Sequence, residues 1–185
     1  MNIKIVCIFI LAVLAGCQSE EVNKEGFDPP YFQLKEFVEG QATLLHGKKL
    51  IKEIQFDSSN ERVEMIPTEE EWLEELDFFV QSDINKLSLV QAYEVVSDEN
   101  EVVYSLKKGE KSKVKSLKIE FFENKKPSKI EFVIGSANTF YTTNTVGLLL
   151  VDEETNLVSK FEVNGKQKVV FLDHISMSLK GEISN

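Results

Sequence analysis

Beyond Leu87 the chain alternates apolar and polar residues in short runs separated by turn-forming clusters, and this feature constrains the fold most. Residues 114–122 place Leu117, Ile119 and Phe121 on one face and Lys118 and Glu120 on the other. Residues 129–134 turn Ile130, Phe132 and Ile134 inward, and residues 140–151 set Val146, Leu148 and Leu150 on one face. Runs at 90–96 and 101–106 flank the turn Ser97-Asp98-Glu99-Asn100; a basic turn around Gly109 and a turn from Asn124 to Pro127 follow. Residues 155–163 and 166–179 flank Asn164-Gly165, a strong short signal for a tight hairpin. A period of two belongs to strands. Strands this close in sequence pair as an antiparallel meander.

The segment before Leu87 is different. Residues 31–45 carry Leu34, Val38, Ala42 and Leu45 at helical spacing, widened by Tyr31, Phe37 and Leu44, with Gly47 as the C-cap. Residues 49–56 and 61–66 read as two strands around Asp57-Ser58-Ser59-Asn60. Thr68 with Glu71 three residues on predicts a capping box. The helix it opens shows Trp72, Leu76, Phe79 and Val80 as its apolar stripe, runs to about Gln81, and carries Glu69, Glu70 and Glu71 where the dipole favours negative charge. The expected fold class is α+β: a large twisted antiparallel sheet of about eight or nine strands, able to curl into an open half-barrel, with two helices packed on one face. This order of elements resembles that of the carriers that shuttle lipoproteins across the periplasm, which implies helices on the concave side. Trp72-Leu73-Glu74-Glu75-Leu76 followed by Ser82-Asp83-Ile84-Asn85-Lys86 resembles a group of uncharacterised Bacteroidota lipoproteins, and no activity follows from that likeness.

The first residues speak to location. Lys4 is followed by an apolar run from Ile5 to Val13, too short for a bilayer span of about 20 residues, and small residues close it. Leu14-Ala15-Gly16-Cys17 matches the cleavage box of bacterial lipoproteins. The resemblance implies a signal peptide over residues 1–16, acylation of the Cys17 thiol, and a protein held on the cell envelope at the outer membrane. The alternatives are a simple secretory signal with an incidental cysteine, or an uncleaved anchor. Two acyl chains suffice for stable anchoring, at about 0.8 kcal/mol per buried methylene. Residues 17–30 read as a tether ending in Asp28-Pro29-Pro30, and residues 31–185 as one globular domain. Gln18-Ser19-Glu20-Glu21 resembles the surface-export signal of Bacteroidota lipoproteins; an ordinary solvated tether reads equally well.

The net charge is −10, and loss of Lys4 with the leader makes it one unit more negative. Nucleic acid is therefore not an expected partner, and neither is broad adhesion to anionic lipid. Of the two cysteines, Cys7 lies in the leader, so Cys17 is left alone and carries the lipid. That removes an internal disulfide, a thiol nucleophile and a zinc–thiolate site from consideration.

Candidates for chemistry are few. His46 sits at a helix end, and His174 follows Asp173 on alternate faces of a strand, so the two do not form a dyad. Glu69, Glu70, Glu71, Glu74 and Glu75 read as a solvated helix face. The acidic turns lack the central glycine of a calcium loop, and neither a phosphate-binding glycine loop nor a nucleophile elbow is present. No metal site, cofactor or catalytic residue is expected. The remaining candidates are aromatics: Trp72, Phe79, Phe121 and Phe140 as lining for an apolar ligand, or else ordinary core. The polar stretch from Ser136 to Thr145 reads as a hairpin end or a binding edge. The expectation is a non-enzymatic, lipid-anchored envelope protein that binds an apolar ligand or an envelope partner. A scaffolding lipoprotein is the alternative, and an envelope hydrolase the third reading.

Overall fold

The computed structural model describes residues 28–57, 59–171 and 174–184. The leader, Cys17 and most of the tether lie outside the described residues, as does Asp173.

Helix α1 spans Leu34–Leu44 and buries Leu34, Val38, Gln41 and Ala42, the predicted stripe with one glutamine added. It starts later than position 31 because the preceding backbone is held by a side chain. Tyr31 N donates to Asn85 Oδ1 at 3.1 Å, and Asn85 Nδ2 donates to Phe32 O at 2.9 Å. Gly47, at φ 80°, turns the chain out of the helix. Strands β1 (Lys49–Phe56) and β2 (Ser59–Met65) form the first hairpin. Thr68 makes the predicted capping box: Thr68 N donates to Glu71 Oε2 at 2.7 Å, and Glu71 N to Thr68 Oγ1 at 3.3 Å.

The single helix expected here is two helices, α2 (Glu69–Glu75) and α3 (Asp77–Gln81). Leu76 leaves helical geometry at φ −96° and ψ 5°, and Phe79 N donates to Leu76 O across the break. The tightened turn lets Trp72, Leu76 and Phe79 all bury completely, which outweighs helical continuity. A 3₁₀ turn at Leu87–Leu89 occupies part of the region ahead of the next strand, which begins at Tyr93 rather than 90. The carbonyls of Leu89 and Val90 accept from Tyr31 Oη at 3.0 and 2.8 Å instead of joining a ladder.

Seven strands follow: β3 (Tyr93–Ser97), β4 (Glu101–Leu106), β5 (Val114–Phe121), β6 (Pro127–Ala137), β7 (Tyr141–Val151), β8 (Val158–Val169) and β9 (Ile175–Ser184). All nine make one open antiparallel sheet in the order β2-β1-β9-β8-β7-β6-β5-β4-β3. The meander is as expected, and the first hairpin joins it by pairing β1 with the last strand, Leu50 opposite Ile183.

Asn164-Gly165 is not a turn. Both residues lie within β8, Asn164 between Val146 and Ser178, Gly165 between Thr145 and Met177. A type I′ turn needs positive φ at both positions. Here the alternation of Phe161, Val163 and Gly165 continues straight through, and two neighbouring strands keep the segment extended.

One face of the sheet carries Leu117, Ile119, Ile130, Phe132, Leu149, Phe161 and Val163, all buried under the helices. Val146, Leu148 and Leu150 share a face as predicted, and it is the outer one; Gly147, Leu149 and Val151 supply the core. Register puts Gly147 opposite Phe132 and Gly181 opposite Phe161. Each ring lies over its glycine so closely that an added Cβ would sit 2.1 Å and 2.3 Å from ring carbons. Phe79 meets Phe132 edge-to-face with centroids 5.2 Å apart. Gln41 ties α1 to the β7–β8 turn, with Val158 N donating to its Oε1 at 2.8 Å and its Nε2 donating to Asn156 O at 3.0 Å. Lys52, on the covered face of β1, pairs with Glu75 of α2, and both are mostly shielded from solvent.

The outer face is a lattice of charge. Lys118 lies 2.7 Å from Glu101 and 2.9 Å from Glu120, which raises its ammonium above the ordinary lysine range through hydrogen bonds to both carboxylates. Lys118 in turn lowers Glu120 by hydrogen bonding, and Lys49 lowers Glu64 at 2.5 Å.

Candidate binding surface

Antiparallel pairing sorts the turns into two ends. The β1–β2, β4–β5, β6–β7 and β8–β9 turns lie at one end, the β3–β4, β5–β6 and β7–β8 turns at the other. On β7, β8, β9 and β1 the covered part of the inner face lies toward the second end, whereas on β3 and β5 the first end is covered too, at Tyr93 and Val114. Along β7, Gly147, Leu149 and Val151 are buried while Tyr141 and Thr142 are exposed; along β8, Val158, Phe161 and Val163 are buried while residues 166–168 are exposed. The same gradient runs along β1, from fully buried Leu50 to Phe56, which is 52% exposed.

The less covered part of the inner face is a largely apolar, half-buried shelf. Register aligns Phe56, Met177, Gly165, Thr145 and Ile134 in one row across five strands. Ile54 and Leu179 form the row below, and exposed Ile175 lies beyond Met177. Gly165 makes a low point in the shelf: a Cβ there would meet ordinary van der Waals contacts, Met177 Cε at 3.6 Å, Thr145 Oγ1 at 3.7 Å and Met177 Cβ at 3.9 Å.

Two turns stand above the shelf. Asn138 Oδ1 accepts from Phe140 N at 2.8 Å and Tyr141 N at 2.9 Å, closing the β6–β7 turn with Phe140 72% exposed. Val170 N donates to Phe140 O at 2.8 Å, which sets the β8–β9 turn beside it. Phe171 follows, fully exposed and at φ 68°, a left-handed backbone in which an aromatic residue is strained.

The four aromatics singled out from sequence lie apart. Trp72 and Phe79 are fully enclosed in the core, and the Trp72 indole N–H there has no hydrogen-bond partner. Phe121 is half-buried against Phe32, with centroids 6.2 Å apart, at the end of β5 remote from the β6–β7 turn. Phe140 alone stands at the open surface. Phe56, Ile175, Met177 and Phe171 were not singled out. Their common face depends on register between β1, β8 and β9, which adjacent-residue patterns do not encode. His46 and His174 are both exposed, one after α1 and one before β9.

At the other end the surface is polar. An open cleft of about 300 Å³ is lined by Leu45, Lys48, Asp152, Thr155 and Ile183 among others. Backbone and side-chain hydrogen bonds from Thr155, at 2.9 and 2.8 Å, hold the Asp152 carboxyl below its ordinary range. A second hollow is walled by Asp98, Glu99, Glu101 and Glu120. Among the described residues no group of three or more His, Cys, Asp and Glu is arranged to hold a metal ion, and no helix is long and apolar enough to cross a membrane. Comparisons with family models, with curated proteins and with solved structures find no match to this chain.

Proposed function

We propose that this protein is a lipid-anchored, non-enzymatic binding module of the cell envelope, tethered through Cys17, that takes an apolar ligand or an apolar segment of an envelope partner on its open sheet face. The carrying observation is the inner face of β1 and β9 toward the β1–β2 turn, where exposed Phe56 and Ile175 adjoin half-buried Ile54, Met177 and Leu179. The supporting physics is simple: apolar side chains left together on a protein surface gain about 25 cal/mol per Å² when a partner covers them.

The test is native mass spectrometry of the protein extracted gently from membranes, beside a Phe56→Glu/Met177→Glu variant. A bound mass present in the parent and absent from the variant, with unchanged circular dichroism, supports the reading. The same bound mass in both, or none in either, rejects it. Mass spectrometry of the N-terminal peptide checks the anchor separately, since acylation requires the Cys17 sulfur.

A further inference from the structure

A chain of net charge −10 is expected to be negative all over, and this one is not. The turns of one end carry Asp98 and Glu99, Glu123, and Asp152, Glu153 and Glu154, against Lys125 and Lys126. The turns of the opposite end are basic. Lys107, Lys108, Lys111, Lys113 and Lys115 cluster in and beside the β4–β5 turn, and Lys166 and Lys168 lie on the last stretch of β8. All seven are exposed; the acidic residues at this end are Asp57, Glu94 and Glu110, and the β8–β9 connection also carries Asp173 in its sequence. The ion pairs of the outer face lie elsewhere on the sheet. The molecule is therefore an electrical dipole along its strands, and its basic end also bears Phe140, Val170 and Phe171.

We infer that this end docks on the surface of an anionic lipid bilayer, with Phe140 and Phe171 entering the headgroup region and the lysines set against lipid phosphates. The inference does not depend on an acyl chain at Cys17 or on a ligand on the shelf. Aromatic side chains favour the membrane–water interface, and lysines near an anionic surface add attraction that salt screens. The apolar groups favour a bilayer over an acidic protein because Phe140 and Phe171, exposed at the ends of neighbouring strands, stand beside exposed lysines rather than forming a flat apolar patch. The acidic end faces away from such a surface, so the overall charge orients the contact rather than preventing it.

The experiment uses residues 18–185, the chain after the leader and Cys17, so that neither an acyl group nor the apolar leader contributes. It is sedimented with phosphatidylcholine vesicles, with and without a minor fraction of phosphatidylglycerol. Binding is expected with the anionic vesicles and is expected to weaken as salt rises. Phe140→Ser/Phe171→Ser and Lys166→Glu/Lys168→Glu are each expected to reduce it roughly tenfold or more. All four positions are exposed or half-exposed, and circular dichroism checks that the variants fold. Phe171→Trp gives a second readout: its emission shifts to the blue on anionic vesicles if the tip enters the headgroups. Equal binding to neutral vesicles, or insensitivity to both double variants, overturns the inference. Loss with the lysine variant but not the phenylalanine variant, without a blue shift, also overturns it, since charge alone then accounts for the binding and no aromatic side chain enters the headgroups.

Discussion

Gly147 and Gly181 illustrate how much a single hydrogen atom can matter in this core. Phe132 and Phe161 have no exposed surface to retreat into, and each rests on a glycine of the adjoining strand. Gly147→Ala and Gly181→Ala are each expected to lose about 1–3 kcal/mol, because the methyl forces a packed ring out of place. Gly165→Ala, where only ordinary contacts wait, serves as the control and is expected to unfold within about 0.5 kcal/mol of the parent in urea. Phe132 was legible from alternation in β6, while Phe161 lay in a segment that reads as ending at a turn. The glycines beneath them were not legible, because the match between a ring and a missing side chain arises only once two strands are in register. Asn85 is a similar case: its amide acts as a surrogate strand for Tyr31 and Phe32, across a separation that no local pattern spans.

Among the elements, the helix with the best start was the easiest to see, since a capping box is written in four adjacent residues. Its break at Leu76 was hidden, because Trp72, Leu76 and Phe79 are compatible with one continuous helix until a sheet beneath them decides the geometry. The ion pair that joins α2 to β1 gives a test of this packing. Glu75→Ala strands the Lys52 ammonium on a mostly covered sheet face and is expected to reduce stability by about 1–3 kcal/mol. Lys52→Met/Glu75→Leu is expected to recover most of that, as measured by chemical denaturation, since burying two apolar groups requires no desolvated charge. The misplaced hairpin has the same physical lesson. Asn-Gly favours a turn locally, but β8 has a partner on each side, and two ladders of backbone hydrogen bonds override one dipeptide.

For the molecule as a whole, high pH is the informative condition. Burial raises the hydroxyls of Tyr93 and Tyr104, which lie in one cluster with Tyr31 at centroid distances of 5.7 and 5.3 Å. Tyr104 Oη accepts from Phe32 N at 3.0 Å, and Tyr93 Oη donates to Ser112 or Val114 at 2.8 Å. A raised folded-state pKa means that the stabilisation is complete below the ordinary value of about 10 and fades as pH climbs through the folded one. Absorbance titration of the phenolates is therefore expected to show two of the four tyrosines ionising late, together with loss of the fold. The meander and the covering helices were evident from hydrophobic period. The open shelf and the two-ended charge were not, because both belong to the way turns far apart in sequence gather at one end of a sheet.

The pairing of β1 with β9 also has a consequence in time. During synthesis the first hairpin leaves the ribosome long before the strand it must lie beside. Until β9 arrives, β1 keeps a bare edge, and Leu50 and Ile54 lack their neighbours Ile183 and Leu179. Completion of the sheet is thus a late, long-range event, of the kind that slows folding most, and in the interval the half-made molecule depends on whatever shields that edge from other chains.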